Sequence, residues 1–128
     1  MNPKLKIALA VVAGAVLGTA VVQGLHAQAK PKAYLVTEIE VLDAKGADAY
    51  GGLIRPTQTA AGGRVLRTAG GKIVEFEGAA APKRVAITEW DSLEKALAFY
   101  NSKAWKDLAP QRDKAVKTIR RYAVEAVN

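Results

Sequence analysis

Lys4 and Lys6 precede an unbroken apolar run from Ile7 to Val22, and Ala27-Gln28-Ala29 closes the segment. A charged start, an apolar middle and small residues at the two positions a signal peptidase reads are the order of a secretory signal. This feature takes residues 1–29 out of any fold. It leaves residues 30–128, about a hundred, the size of one domain. Cleavage is expected between Ala29 and Lys30, by the general secretion route, since no twin-arginine pair is present. The product would be periplasmic or secreted, meeting the membrane only transiently through its signal peptide. The alternative is an uncleaved N-terminal anchor. The apolar segment approaches the roughly 20 residues of a spanning helix, although Gln23 interrupts it.

The chain has no cysteine, and its one histidine, His26, lies in the segment expected to be removed. The remaining domain would have to do without Ser-His-Asp and Cys-His nucleophile systems. Zinc sites built from Cys and His, and haem held by either, are excluded on the same ground. No metal and no cofactor is expected. The formal charge of +7 falls by two when Lys4 and Lys6 are lost. Apart from Lys83-Arg84 and Arg120-Arg121 the basic residues are scattered, and no basic run is interleaved with aromatics. Nucleic acid is therefore not expected as a partner.

Ala33 to Leu42 reads as a strand, with Ala33, Leu35, Thr37, Ile39 and Val41 as its core face. Asp43 is placed to cap a helix whose apolar positions are Ala47, Tyr50 and Ile54, and Pro56 is expected to kink or end it. Gly62-Gly63 turns into a strand from Arg64 to Thr68. Ile73 to Glu77 reads as more strand beyond Gly70-Gly71, and Arg84 to Trp90 as the next. Asp91-Ser92 with Glu94 starts a helix carrying Leu93, Ala96, Leu97 and Tyr100 on one stripe. Asn101-Ser102 recaps it, and a second stripe runs through Trp105, Leu108, Ala109, Arg112, Ala115 and Val116, divided by Pro110. Thr118 to Val127 is the last strand. The order β-α-β-β-α-β is the ferredoxin-like split βαβ plan, an α+β fold with an antiparallel sheet and helices on one face. Several strands are apolar on both faces. The uncovered face has to be covered, and a homodimer is the commonest solution.

The chain resembles the family called domain of unknown function 1330, similar in fold to the dimeric α+β barrel proteins. The resemblance covers Ala33 to Val127. It is carried by Ala33-Tyr34, Tyr50, Gly62-Gly63, Leu66, Glu77-Gly78, the strand Arg84 to Trp90, Ala96, Tyr100, Asn101-Ser102, Trp105 and Arg112. The loop Ala79-Ala80-Ala81 is bland, and Trp90 and Trp105 stand where Phe and Tyr are expected. The resemblance implies a ferredoxin-like protomer, a homodimer, and a pocket between sheet and helices. Its structural relatives include cofactor-free monooxygenases, isomerases and binding proteins, and fold alone does not choose among them.

Five residues are candidates for lining that pocket: Tyr50, Trp90, Tyr100, Trp105 and Arg112. Arg112 lies on the apolar stripe. It is either an anchor for a ligand carboxylate or half of an ion pair with an acid on the sheet. The aromatic residues either frame a flat ligand or are ordinary core. Glu89 and Asp91 flank Trp90, as a general base or, more plainly, as ion-pair partner and helix cap. Arg67 and Glu77 are placed to pair across the hairpin. Gly62-Gly63 lacks the Lys-Ser/Thr of a phosphate loop. Three functions are compatible with these residues. The first is binding a small organic molecule, acidic or aromatic. The second is cofactor-free oxygenase or isomerase chemistry. The third is a structural or partner-binding role in the envelope.

Overall fold

The computed structural model describes residues 30–127. The segment read as a signal peptide or anchor, with His26, lies outside the described residues. Among the described residues no helix is long and apolar enough to cross a membrane.

The elements follow the expected order: β1 (Ala33–Val41), α1 (Ala44–Ala60), β2 (Arg64–Leu66), β3 (Arg84–Trp90), α2 (Leu93–Tyr100), α3 (Lys103–Asp107), α4 (Ala109–Ala115) and β4 (Val116–Glu125). The four strands form one sheet in the order β2-β3-β1-β4. Every pairing is antiparallel. The sheet is thus ferredoxin-like, with β1 at its centre. Ala33, Leu35 and Thr37 are buried, as alternation on β1 requires, and Ile39 and Val41 pack against Ala47, Ala115 and Val116.

Three expectations change. Pro56 lies inside α1 and does not end it. The hydroxyls of Thr57 and Thr59 donate to the carbonyls of Leu53 and Arg55, which ties the helix together on the C-terminal side of the proline. The helix ends instead at Gly62, whose φ of +99° is open to glycine and lets the Gly63 N–H return to the Gln58 carbonyl. Second, residues 73–77 form no strand. Phe76 is 95% exposed, so the alternation there has no neighbouring strand to pair with, and Glu77 does not meet Arg67. Third, α2 buries Ala96 and Phe99 and leaves Leu97 exposed. A core stripe through Ala96, Phe99 and Tyr100 has helical spacing too, and Phe99 is the larger apolar group.

Capping also differs from expectation at two places. Asp43 occupies the N-cap of α1, but its side chain makes no capping hydrogen bond. Ser92, not Asp91, caps α2 by accepting the Lys95 N–H. Ser102 caps α3 by accepting the Trp105 N–H, and Pro110 falls in the first turn of α4. That position suits proline, whose missing N–H has no partner there in any case.

The core centres on Leu35, Ile54, Trp90, Ala96, Phe99 and Trp105. It lies between the sheet and the helices. The opposite sheet face carries Tyr34, Val36, Val85 and Ile87 in register with Tyr122, Val124 and Leu66. The last three are exposed.

Candidate functional site

A cavity of about 650 Å³ opens between the helix-covered face of the sheet and α1. That volume suits a small organic ligand. Helix α1 turns Tyr50, Ile54 and Gln58 into it, residues four apart that share one helical face. Tyr100, Trp105, Arg112 and Arg121 come from the end of α2, from α3, α4 and β4, and all reach the wall. Among the described residues no three His, Cys, Asp or Glu side chains gather as a metal site.

Four of the five expected residues therefore share the cavity: Tyr50, Tyr100, Trp105 and Arg112. Trp90 is not on its wall. It is fully buried behind the site, stacked on Phe99 at 5.3 Å and edge-on to Tyr100 at 6.4 Å. The reason is register. Trp90 sits at the end of β3 opposite Ala33, packed so closely beneath Gly63 that a Cβ there would lie 2.8 Å from its ring.

The guanidinium of Arg112 stands over the Trp105 ring, 4.2 Å from its centroid. Its Nε donates to Asp113 at 3.3 Å, but the Asp113 side chain is 70% exposed while that of Arg112 is only 12% exposed. The Nη1 atom is buried and has no hydrogen-bond partner among the described residues. The alternative of an ion pair with a sheet acid is not realised. Glu38 is held by Arg120 at 2.8 and 2.9 Å, and Glu89 by Arg64 and Lys32. A buried guanidinium nitrogen without an acceptor is an unmet demand for an anion or a polar ligand atom.

A second cation was not anticipated from the sequence. Arg121 places its guanidinium 4.7 Å from the Trp105 centroid and 6.0 Å from that of Tyr100. It donates to the neutral hydroxyls of Thr37 and Thr118, at 3.2 and 3.3 Å, and to no carboxylate. Burial pulls its pKa below the ordinary arginine value, and Arg112 acts in the same direction. The signal was present. Arg121 shares its strand face with Ala123, and an arginine on a core-facing register needs a reason.

Two tyrosines and a glutamine add neutral polar groups to the wall. Burial raises the pKa of Tyr50, with the charge of Arg112 and a hydrogen bond from its guanidinium opposing. Burial raises that of Tyr100 as well, with a hydrogen bond from Gln58 opposing. Both phenols therefore keep their protons at neutral pH. The Gln58 amide donates to the Tyr100 hydroxyl at 3.1 Å and to Thr88 at 3.4 Å, which fixes the Tyr100 ring edge-on to Trp105 at 4.6 Å. Gln58 also escaped the sequence reading, because ending α1 at Pro56 removes it from the helical face it continues.

Glu89 and Asp91 are not on the cavity wall. Arg64 bridges them at 2.6 and 2.9 Å, and it holds both carboxyls below their usual pKa range, with Lys32 adding to the effect at Glu89 and Lys95 at Asp91. The folded state thus binds protons less readily than the unfolded chain. The stabilisation is present above the unfolded carboxylate values near pH 4 and is lost as pH falls through the lower folded ones, about 4 being the ordinary reference. Arg64→Ala is expected to make the acid limb of stability shallower. Urea unfolding at steps from pH 6 to pH 2 measures this, and an unchanged slope would show that Arg64 does not set these pKa values.

A four-stranded antiparallel sheet with helices on one face, enclosing a cavity on that side, defines a ferredoxin-like α+β protein. Residues 32–127 match the family described as domain of unknown function, DUF1330, and the chain belongs to that family. No curated protein sequence matches it. Two solved structures show the same fold. One is the RPA0582 protein of unknown function from Rhodopseudomonas palustris, with 14% identity, a TM-score of 0.61, and coverage of 86% of this chain and 93% of that one. The other is SnoaB, a cofactor-independent oxygenase from Streptomyces nogalater, with 12% identity, a TM-score of 0.50, and coverage of 77% and 95%. At these identities the likeness is one of fold alone.

Proposed function

We propose that this DUF1330 protein is an exported homodimer that binds a small organic anion in the cavity between sheet and helices. The observation that carries the reading is the buried, unpartnered Nη1 of Arg112, beside a second guanidinium that is also without a carboxylate. Charge-assisted hydrogen bonds from two guanidiniums are a strong and geometrically selective way to hold a carboxylate. Trp105 and the two protonated tyrosines add flat apolar surface and hydroxyl donors. The open sheet face, with Tyr122, Val124 and Leu66 exposed, is where the second protomer would pack.

Binding is favoured over cofactor-free oxygenase or isomerase chemistry by what lines the wall. Either reaction needs a group that takes a proton, and the buried ionisable groups there are guanidiniums and protonated phenols. Asp48, the acid on the wall, is exposed. A purely structural role is disfavoured by the cavity itself.

Native mass spectrometry on the protein purified from its host's envelope fraction tests the reading. The expected result is a dimer, starting at Lys30, that retains a small mass. That mass should be lost in Arg112→Ala and in Arg121→Ala. A dimer of bare protein, unchanged in both variants, would overturn ligand binding. A chain mass beginning at Met1 would overturn cleavage.

A further inference from the structure

The cavity wall is almost entirely of one sign. Arg55, Arg67, Arg84, Arg112 and Arg121 all line it, against the single acid Asp48 among the described residues. Four of these arginines form two groups, and Arg55 stands apart on α1. Arg112 and Arg121 stand over Trp105 on the α4 and β4 side. Arg84 opens β3, and Arg67 follows β2, so this second group belongs to the other half of the sheet.

The strand register gives the separation. Arg84 lies opposite Ile39 of β1, and Arg121 lies opposite Thr37 two residues earlier on that strand. All four residues face the helices. Strands β3 and β4 flank β1 on opposite sides, so the backbones carrying Arg84 and Arg121 are two strand spacings apart across the sheet and two residues offset along it, about 12 Å in all. The apolar side chains of Ile39, Ile54, Val65 and Ala86 share the wall with these arginines. Neither Arg67 nor Arg84 is engaged in an ion pair with any described residue.

We infer that the ligand is a dianion, one anionic group on Arg112 and Arg121 and the other on Arg67 and Arg84. The inference rests on the reading that this cavity holds an organic anion, and it deepens that reading to a substrate class. The first group is the buried anchor. The second is nearer the mouth, where Arg67 is exposed and Arg84 half-buried, so it selects for length.

The test is calorimetric titration at low ionic strength with two probe series, linear α,ω-dicarboxylates of four to twelve carbons and the monocarboxylates of the same lengths. Dicarboxylates should bind roughly tenfold or more tighter than their monocarboxylate counterparts, a ratio in keeping with charge-assisted hydrogen bonds. The preference should peak at one chain length within the series. The double variant Arg67→Ser/Arg84→Ser should bring dicarboxylates down to the level of monocarboxylates in the same variant and lower monocarboxylate affinity much less. Retained monocarboxylate affinity shows that the variant is folded. Arg67→Ser alone, at an exposed turn, should give part of the same loss. Equal affinity of the two series at every length, or a preference that survives both variants, would overturn the dianion inference and leave the organic-anion reading standing. Binding of neither series overturns the dianion too, while the mass retained by host-purified protein decides the parent reading separately.

Discussion

Trp90→Ala is expected to lower the free energy of unfolding by about 3–5 kcal/mol, the range for truncating a buried large aromatic. In a domain of this size that is a fall in Tm of roughly 12 °C or more. Trp90 is the largest fully buried side chain, packed on Phe99 and Tyr100. Its indole N–H has no hydrogen-bond partner, so the whole loss comes from packing and none from a broken polar contact. Gly63 shows how tight the fit is. A Cβ there would lie 2.8 Å from Cζ2 of Trp90 and 3.1 Å from Cγ2 of Thr88. Gly63→Ala should therefore cost about 1–3 kcal/mol by overpacking. The two sites touch, so their effects should not add. Trp90→Phe vacates the space the new methyl needs, and Gly63→Ala/Trp90→Phe should be more stable than the sum of the single losses predicts. Urea unfolding followed by far-UV circular dichroism measures all four proteins. Strict additivity would place Gly63 outside the packing of the indole.

The same residue shows where sequence reasoning reaches its limit. Alternation on β1 and β3, the recapping at Ser102 and the division at Pro110 are local signals, and the topology follows from them. The strand at residues 73–77 was misread because alternation reports what a segment is able to do. Whether a partner strand stands beside it is a tertiary fact. Placing Trp90 in the pocket failed for a related reason. It has the chemistry of a pocket residue, and only its register opposite Ala33 puts it in the sealed end of the core. Tyr50, Tyr100, Trp105 and Arg112 were legible because helical spacing put aromatic and basic groups on core-facing stripes. Arg121 and Gln58 were missed for two local reasons: Arg120-Arg121 was weighed only as a basic pair, and α1 was expected to kink or end at Pro56. Strand alternation separates the arginine pair. Arg120 turns to the open face and binds Glu38, and Arg121 turns inward.

Arg112→Met should raise the stability of the unliganded protein while removing most of its affinity for organic anions. Methionine keeps the length and apolar packing of the stem, so no large void is left. Two terms oppose each other in the empty cavity. The guanidinium gains about 0.5–2 kcal/mol from the face of Trp105. Against that, a buried polar atom without a partner costs about 1–3 kcal/mol, and a second buried cation adjoins it. The ion pair with Asp113 contributes little, because that carboxylate is largely in water. The expected balance is a gain of roughly 1 kcal/mol, the direction found when buried charge is replaced by packed apolar groups. Binding should move the other way, with affinity for the monocarboxylate series falling roughly ten- to a hundredfold, the worth of a charge-assisted hydrogen bond. A group retained for its contribution to the fold loses stability on replacement. A group retained for a ligand loses binding and relieves the fold. Thermal unfolding of Arg112→Met with and without a monocarboxylate separates the two. Asp113→Asn serves as the control, expected to change stability by less than about 0.5 kcal/mol. If Arg112→Met lowers the Tm of the unliganded protein and leaves anion affinity intact, Arg112 is a structural residue, and the charge in this cavity has to be explained without a ligand.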